Sequence, residues 1–150
     1  MAFLLIVHLI ASLVWVGGMF FAYVALRPAL AAFEPPDRLT LWTRVFGNFF
    51  PWVWASIAAL LITGYAILFG FFGGFAGAGL YIHLMHGIGL VMMLIFGHLF
   101  FAPYRQLRRA VAGGDWASGA VALGRIRQTV AINLVLGLLV VAIAVGGPYL

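Results

Sequence analysis

Apolar residues in this chain come in long uninterrupted runs, not at the spacing of an amphipathic helix or strand. No charged residue occurs over residues 2–26, and three further apolar runs follow at about residues 49–72, 80–102 and 129–147. A membrane-crossing helix needs roughly 20 apolar residues at about 1.5 Å of rise each. The pattern therefore predicts four transmembrane helices over those four ranges, in a single domain spanning residues 1–150. Each run is too long, and too rich in Leu, Ala and Gly, for a strand of an outer-membrane barrel. The fold class is all-α: an integral membrane four-helix bundle. The first run lacks a basic leader region, is too long for a signal-peptide core, and ends at Arg27-Pro28, which is no cleavage site. It is expected to be retained.

The polar residues sit between the runs, and asymmetrically. Arg27, Arg38 and Arg44 lie between the first two helices; Arg105, Arg108, Arg109, Arg125 and Arg127 lie between the last two. No arginine occurs in the glycine-rich segment 73–79 or at either chain end. The positive-inside rule then puts both arginine-bearing segments in the cytoplasm of a bacterial inner membrane, with both termini on the periplasmic side. Within those segments, Asp37 after Pro35-Pro36 is expected to cap a short helix through residue 42. Asp115 after Gly113-Gly114 is expected to cap an interfacial helix toward Arg127, lying on an anionic leaflet.

Composition sharpens the class. The chain is 66% hydrophobic and 7% charged, whereas a soluble domain carries about a quarter of its residues charged. That rules out a soluble enzyme, a nucleic-acid-binding module and a disordered chain. The net charge of +5 reflects membrane orientation, not nucleic-acid binding. With no cysteine, disulfides and thiolate metal sites are absent.

Ionisable residues inside spans are expensive and mark candidate sites. Four histidines qualify: His8, His83, His86 and His98. Helix rise puts His8 and His86 about 9 Å below the outer face and His83 about 5 Å below it. Three histidines from two helices thus share one level. His83 and His86 share a face, about 60° apart around the axis. His98 lies about 22 Å deeper than His83, and is expected to hydrogen-bond a neighbouring helix. The methionines, with Trp15, Trp52, Trp54 and Tyr81, are expected to pack or to anchor at the interface. Asn48 and Asn133 are assigned to capping or interhelical hydrogen bonds. Glycines at 17, 18, 64, 70, 87, 89, 97 and 137 allow close helix approach, or leave room for a flat macrocycle. Their small-residue faces are compatible with a homodimer.

The stretch from His8 to Trp15-Val16-Gly17-Gly18 resembles the opening of the copper-resistance protein D (CopD) type of bacterial membrane protein. Phe50-Pro51, Val53-Trp54 and Thr63-Gly64 in the second run, and Tyr81-Ile82-His83-Leu84 in the third, are similar to that family as well. The resemblance implies handling of copper from the periplasm. A weaker resemblance runs to the four-helix HemJ-type protoporphyrinogen oxidases, thought to carry b-type haem, through His8 and Ser12 to Gly18. That family has a lysine where His83 stands here, and a Lys-Pro pair where Gly147-Pro148 stands.

Three functions fit these residues. The leading reading is a b-type haem protein, with His8 and either His83 or His86 as axial ligands near the periplasmic face, transferring electrons as a membrane oxidoreductase. No outer arginine is available for its propionates, which leaves water, Tyr81 or Tyr149. The alternative is a copper-binding, uptake or resistance protein using His8, His83 and His86, with Met85 or Met1 nearby. The third is a structural membrane subunit. Expected partners are the lipid bilayer and a quinol, a periplasmic redox protein or a copper carrier; no nucleic acid is expected.

Overall fold

The computed structural model describes residues 1–149 as helices joined by short turns. Four are long and apolar enough to cross a membrane. Helix α1 runs Ala2–Leu30, α2 Pro35–Phe71, α3 Leu80–Phe101, α4 Pro103–Ala112 and α5 Trp116–Gly146. The chain is an all-α membrane bundle. Helices α1 and α2 pack as one pair and α3 and α5 as another, with α4 laid against the start of α5.

Two spans are longer than the sequence predicts. The expected short helix after Pro36 is the first part of α2, which continues unbroken for 37 residues, about 55 Å against a hydrocarbon thickness of about 30 Å. Likewise the expected interfacial helix from Asp115 runs straight on through residue 146. Nothing between either pair of expected helices forces a break: residues 43–48 contain Gly47 alone and residue 128 is Gln, while Pro51 is carried inside α2.

The caps explain where the helices begin. Pro35 and Pro36 occupy the first turn of α2, and Glu34 before them is extended (φ −61°, ψ 151°), as a residue preceding proline prefers. Asp37 is thus in the first turn and does not cap it, which corrects the expectation from sequence; an acidic residue in that turn still suits the positive helix end. Asp115 caps α5 as expected, its Oδ1 accepting from Ser118 N–H at 3.0 Å. Gly114, at φ +69°, makes the left-handed turn that ends α4 and that a side chain would disfavour.

Helix α1 is not uniform. Residues Phe21–Leu26 form a π-helical turn, in which Arg27 N–H bonds back to the Ala22 carbonyl. Pro28 gives the reason. It has no N–H for the Val24 carbonyl, and in a regular helix its ring would press on that carbonyl. Widening the preceding turn relieves the clash while the chain stays helical to Leu30.

Packing is densest at the arginine end. Leu39, Leu107, Ala122 and Ile126 are fully buried, where the extended parts of α2 and α5 sandwich α4. Above them the ring stack Trp42–Phe46–Phe50 (centroids 5.0 Å apart at each step) meets Phe96 and Tyr104 edge-on. Buried Trp15 packs on Phe96, and Met19 and Met92 fill the same core, as expected for packing residues. Asn133, also buried, donates from Nδ2 to the Met92 carbonyl at 3.2 Å, tying α5 to α3. Asn48 is exposed. Large side chains such as Phe3, Leu13, Trp52, Leu94 and Val135 face outward, toward lipid.

Candidate metal site at the histidine end

His8, His83 and His86 all lie at the end of the bundle opposite the arginines, because α1 and α3 both start there. His8 projects from α1 onto α2. Its Nδ1 is 2.8 Å from Thr63 Oγ1, and that hydroxyl donates to the Ala59 carbonyl at 2.6 Å. A hydroxyl has one proton. Since Thr63 gives its proton to Ala59, it accepts from His8, and the imidazole carries its proton on Nδ1. The Nε2 lone pair is then free, the arrangement in which an outer hydrogen bond orients a metal-ligating histidine. The imidazole also lies against Gly64: a Cβ there would stand 3.3 Å from His8 Cε1.

His86 docks on α2 too, but elsewhere. Its Nε2 is 2.9 Å from Tyr65 Oη, with the two rings edge-on at 5.6 Å. Phe75, in the short turn Phe75–Gly77, covers both α3 histidines, with ring centroids 5.0 Å from His86 and 5.7 Å from His83. Phe69 in turn packs on Tyr65 and Phe75. His86 is half-buried in this aromatic enclosure, while His83 is exposed.

The equal depth read from sequence is therefore accompanied by a difference in direction. Thr63 and Tyr65 are two residues apart on one helix, so they leave α2 about 160° apart. His8 and His86 dock on different faces of α2. Among the described residues no three His, Asp or Glu side chains gather in a way that would hold one ion, so the expected three-histidine cluster is not assembled here. Met85 is half-buried and Met1 exposed. His98 is exposed at the far end of α3 and makes no side-chain hydrogen bond among the described residues, which corrects the expectation that it bonds a neighbouring helix.

Thr63 and Tyr65 are the residues that sequence reasoning did not assign. Their signal was present: three of the four residues 63–66 are a hydroxyl, a glycine and a phenol inside an otherwise aliphatic span. Their depth, eight and six residues from the end of α2, matches that of His8 and His86.

Four long apolar helices, with three of the four imidazoles at one end and the arginines at the other, define a polytopic membrane protein. The family model described as Copper resistance protein D matches residues 43–146. The match takes in more than half of the chain, which belongs to that family; it includes Thr63, Tyr65, His83 and His86, and leaves His8 outside. The likeness to HemJ-type oxidases rests on the quoted residues alone. No curated protein matches the chain, and no solved structure matches it.

Proposed function

We propose that this chain handles copper as cargo at the histidine end of the bundle, with His8 Nε2 as an inward ligand and the His83–His86 pair at the mouth. One observation carries the reading: the Ala59–Thr63–His8 hydrogen-bond chain leaves Nε2 unprotonated and oriented. Family membership supports copper over other metals. Imidazole serves Cu(II), and the half-buried Met85 thioether offers a soft donor to Cu(I) near the same histidines. The positive-inside rule puts the arginine end in the cytoplasm of a bacterial inner membrane, so this mouth opens to the periplasm and to a copper carrier there.

The haem reading asks two imidazoles to face one ring. His8 and His86 approach α2 from different faces, and a bis-histidine clamp through Nε2 would require His86 to leave Tyr65 and both rings to turn toward one plane. A copper ion held at His8 Nε2 needs no such joint arrangement with His86.

The test is anaerobic titration of the detergent-purified protein with Cu(I) against a chromophoric competitor, alongside an absorption spectrum of the protein as isolated. Stoichiometric copper binding that His8→Ala weakens is the expected result. A Soret band with sharp reduced α and β bands, lost in His8→Ala, would overturn the copper reading in favour of haem. Binding of neither would leave a structural subunit.

A further inference from the structure

At the opposite end of the molecule, three arginines that are far apart in sequence meet around one cavity. Arg27 comes from the end of α1, Arg38 from the first turns of α2 and Arg127 from the middle of α5; the cavity they line measures about 470 Å³. Its remaining wall is largely apolar and aromatic, with Tyr23, Leu39 and Trp42 among the lining residues. Among the described residues neither Asp nor Glu lines it. Glu34 and Asp37, the acidic residues of the adjoining turn, are exposed and stand outside the lining.

Three like charges drawn together without a carboxylate repel one another unless an anion joins them. The local backbone keeps them in place. The π-turn over Phe21–Leu26 shifts the end of α1 around its axis, and Arg27 lies over the Tyr23 ring at 4.9 Å from its centroid. That stacking holds the guanidinium at the cavity wall. Arg27 and Arg38 are both half-buried, so their charges are less screened than those of the freely exposed arginines. Planar guanidinium groups present paired donors that match the oxygens of a phosphate.

We propose that this cavity binds a phosphate group. The group arrives either on the headgroup of an anionic phospholipid or as a free phosphate. Its level in the molecule, just beyond the apolar run of α1, is where lipid headgroups lie, and Tyr23 and Trp42 suit the boundary between glycerol and acyl chain. Copper handling at the far end is not required for it.

The experiment uses the full-length protein, delipidated in detergent, and follows its thermal unfolding with added phosphatidylglycerol, phosphatidylcholine or inorganic phosphate. Phosphatidylglycerol raises the Tm and phosphatidylcholine does not. If inorganic phosphate is inert, the phosphate is lipid-borne; if it raises the Tm as well, the site takes the free anion. In Arg27→Gln/Arg38→Gln the apparent affinity falls about tenfold or more for each arginine removed. In Arg44→Gln/Arg109→Gln, with the same charge change but both residues outside the cavity, it is retained. Arg127→Gln, at an exposed position, repeats the test if the first double variant does not fold. Equal response to both lipids with phosphate inert, or equal loss in the two double variants, would overturn the proposal.

Discussion

The Thr63 hydroxyl stands 2.8 Å from His8 Nδ1 and gives its single proton to the Ala59 carbonyl, 2.6 Å away. One side chain of α2 thereby sets both the tautomer and the ring orientation of a histidine on α1. Removing the hydroxyl frees the imidazole to rotate and to protonate on either nitrogen. In Thr63→Val, which keeps the shape, Cu(I) affinity is expected to fall about 10- to 100-fold. Competitive titration beside His8→Ala checks this. Unchanged affinity in Thr63→Val with loss in His8→Ala would mean that His8 binds without help from Thr63.

Gly64 lies against the same imidazole, beside Thr63. An added Cβ would sit 3.3 Å from His8 Cε1, tolerable with a shift of a few tenths of an ångström, but a longer side chain takes the ring's place. Gly64→Ala is expected to be mild and Gly64→Leu to lower copper retention as far as His8→Ala does. Metal analysis after desalting distinguishes the two. Equal retention in Gly64→Leu and the parent protein would show that the imidazole is not confined there.

Two other glycines hold the bundle together. A Cβ on Gly18 would overlap the Phe49 ring where α1 meets α2, and a Cβ on Gly137 would come within 2.9 Å of Val16 where α5 meets α1. Gly18→Leu and Gly137→Leu should each destabilise by about 1–3 kcal/mol, the usual range for overpacking. Gly97, with nothing within 4 Å of its would-be Cβ, is the control, and Gly97→Ala should leave the Tm in detergent unchanged or slightly raised.

At the arginine end, hydrogen bonding from Ser118, its side chain first and its backbone N–H second, holds the Asp115 carboxyl below the usual carboxylate range. A lowered folded pKa favours the ionised form in the folded state. Its contribution is complete above the unfolded pKa, about 3.9, and disappears as pH falls through the folded value. Thermal unfolding should thus show a loss of stability below about pH 4 that Asp115→Ala removes, together with a small drop in Tm at neutral pH from the missing cap. An unchanged pH profile in Asp115→Ala would place the acid sensitivity elsewhere.

Much of this protein was legible along the chain. Run length revealed four membrane helices, because every backbone group in lipid must be bonded within its own segment. The depth of His8, His83 and His86 followed from counting, since rise per residue is nearly constant. Asp115 was recognisable as a cap because Gly113-Gly114 stops one helix directly before it. Asp37 was misjudged because two prolines move the helix start upstream. His98 was expected to bond across helices, but its side chain points outward, and depth alone carries no direction.

Direction is what tertiary structure decided. The rotation of each helix about its axis depends on which large side chains meet which glycines, such as Phe49 on Gly18 and Val16 on Gly137, and those pairs join residues 31 and 121 positions apart. That rotation turned His8 and His86 onto different faces of α2 despite their common depth. It also brought Arg27, Arg38 and Arg127 to one cavity from three helices. Helix number and the level of each polar group along its helix were readable from the chain alone, since both follow from the geometry of a single helix. Which polar groups meet was settled by packing between helices, through contacts that no single segment encodes.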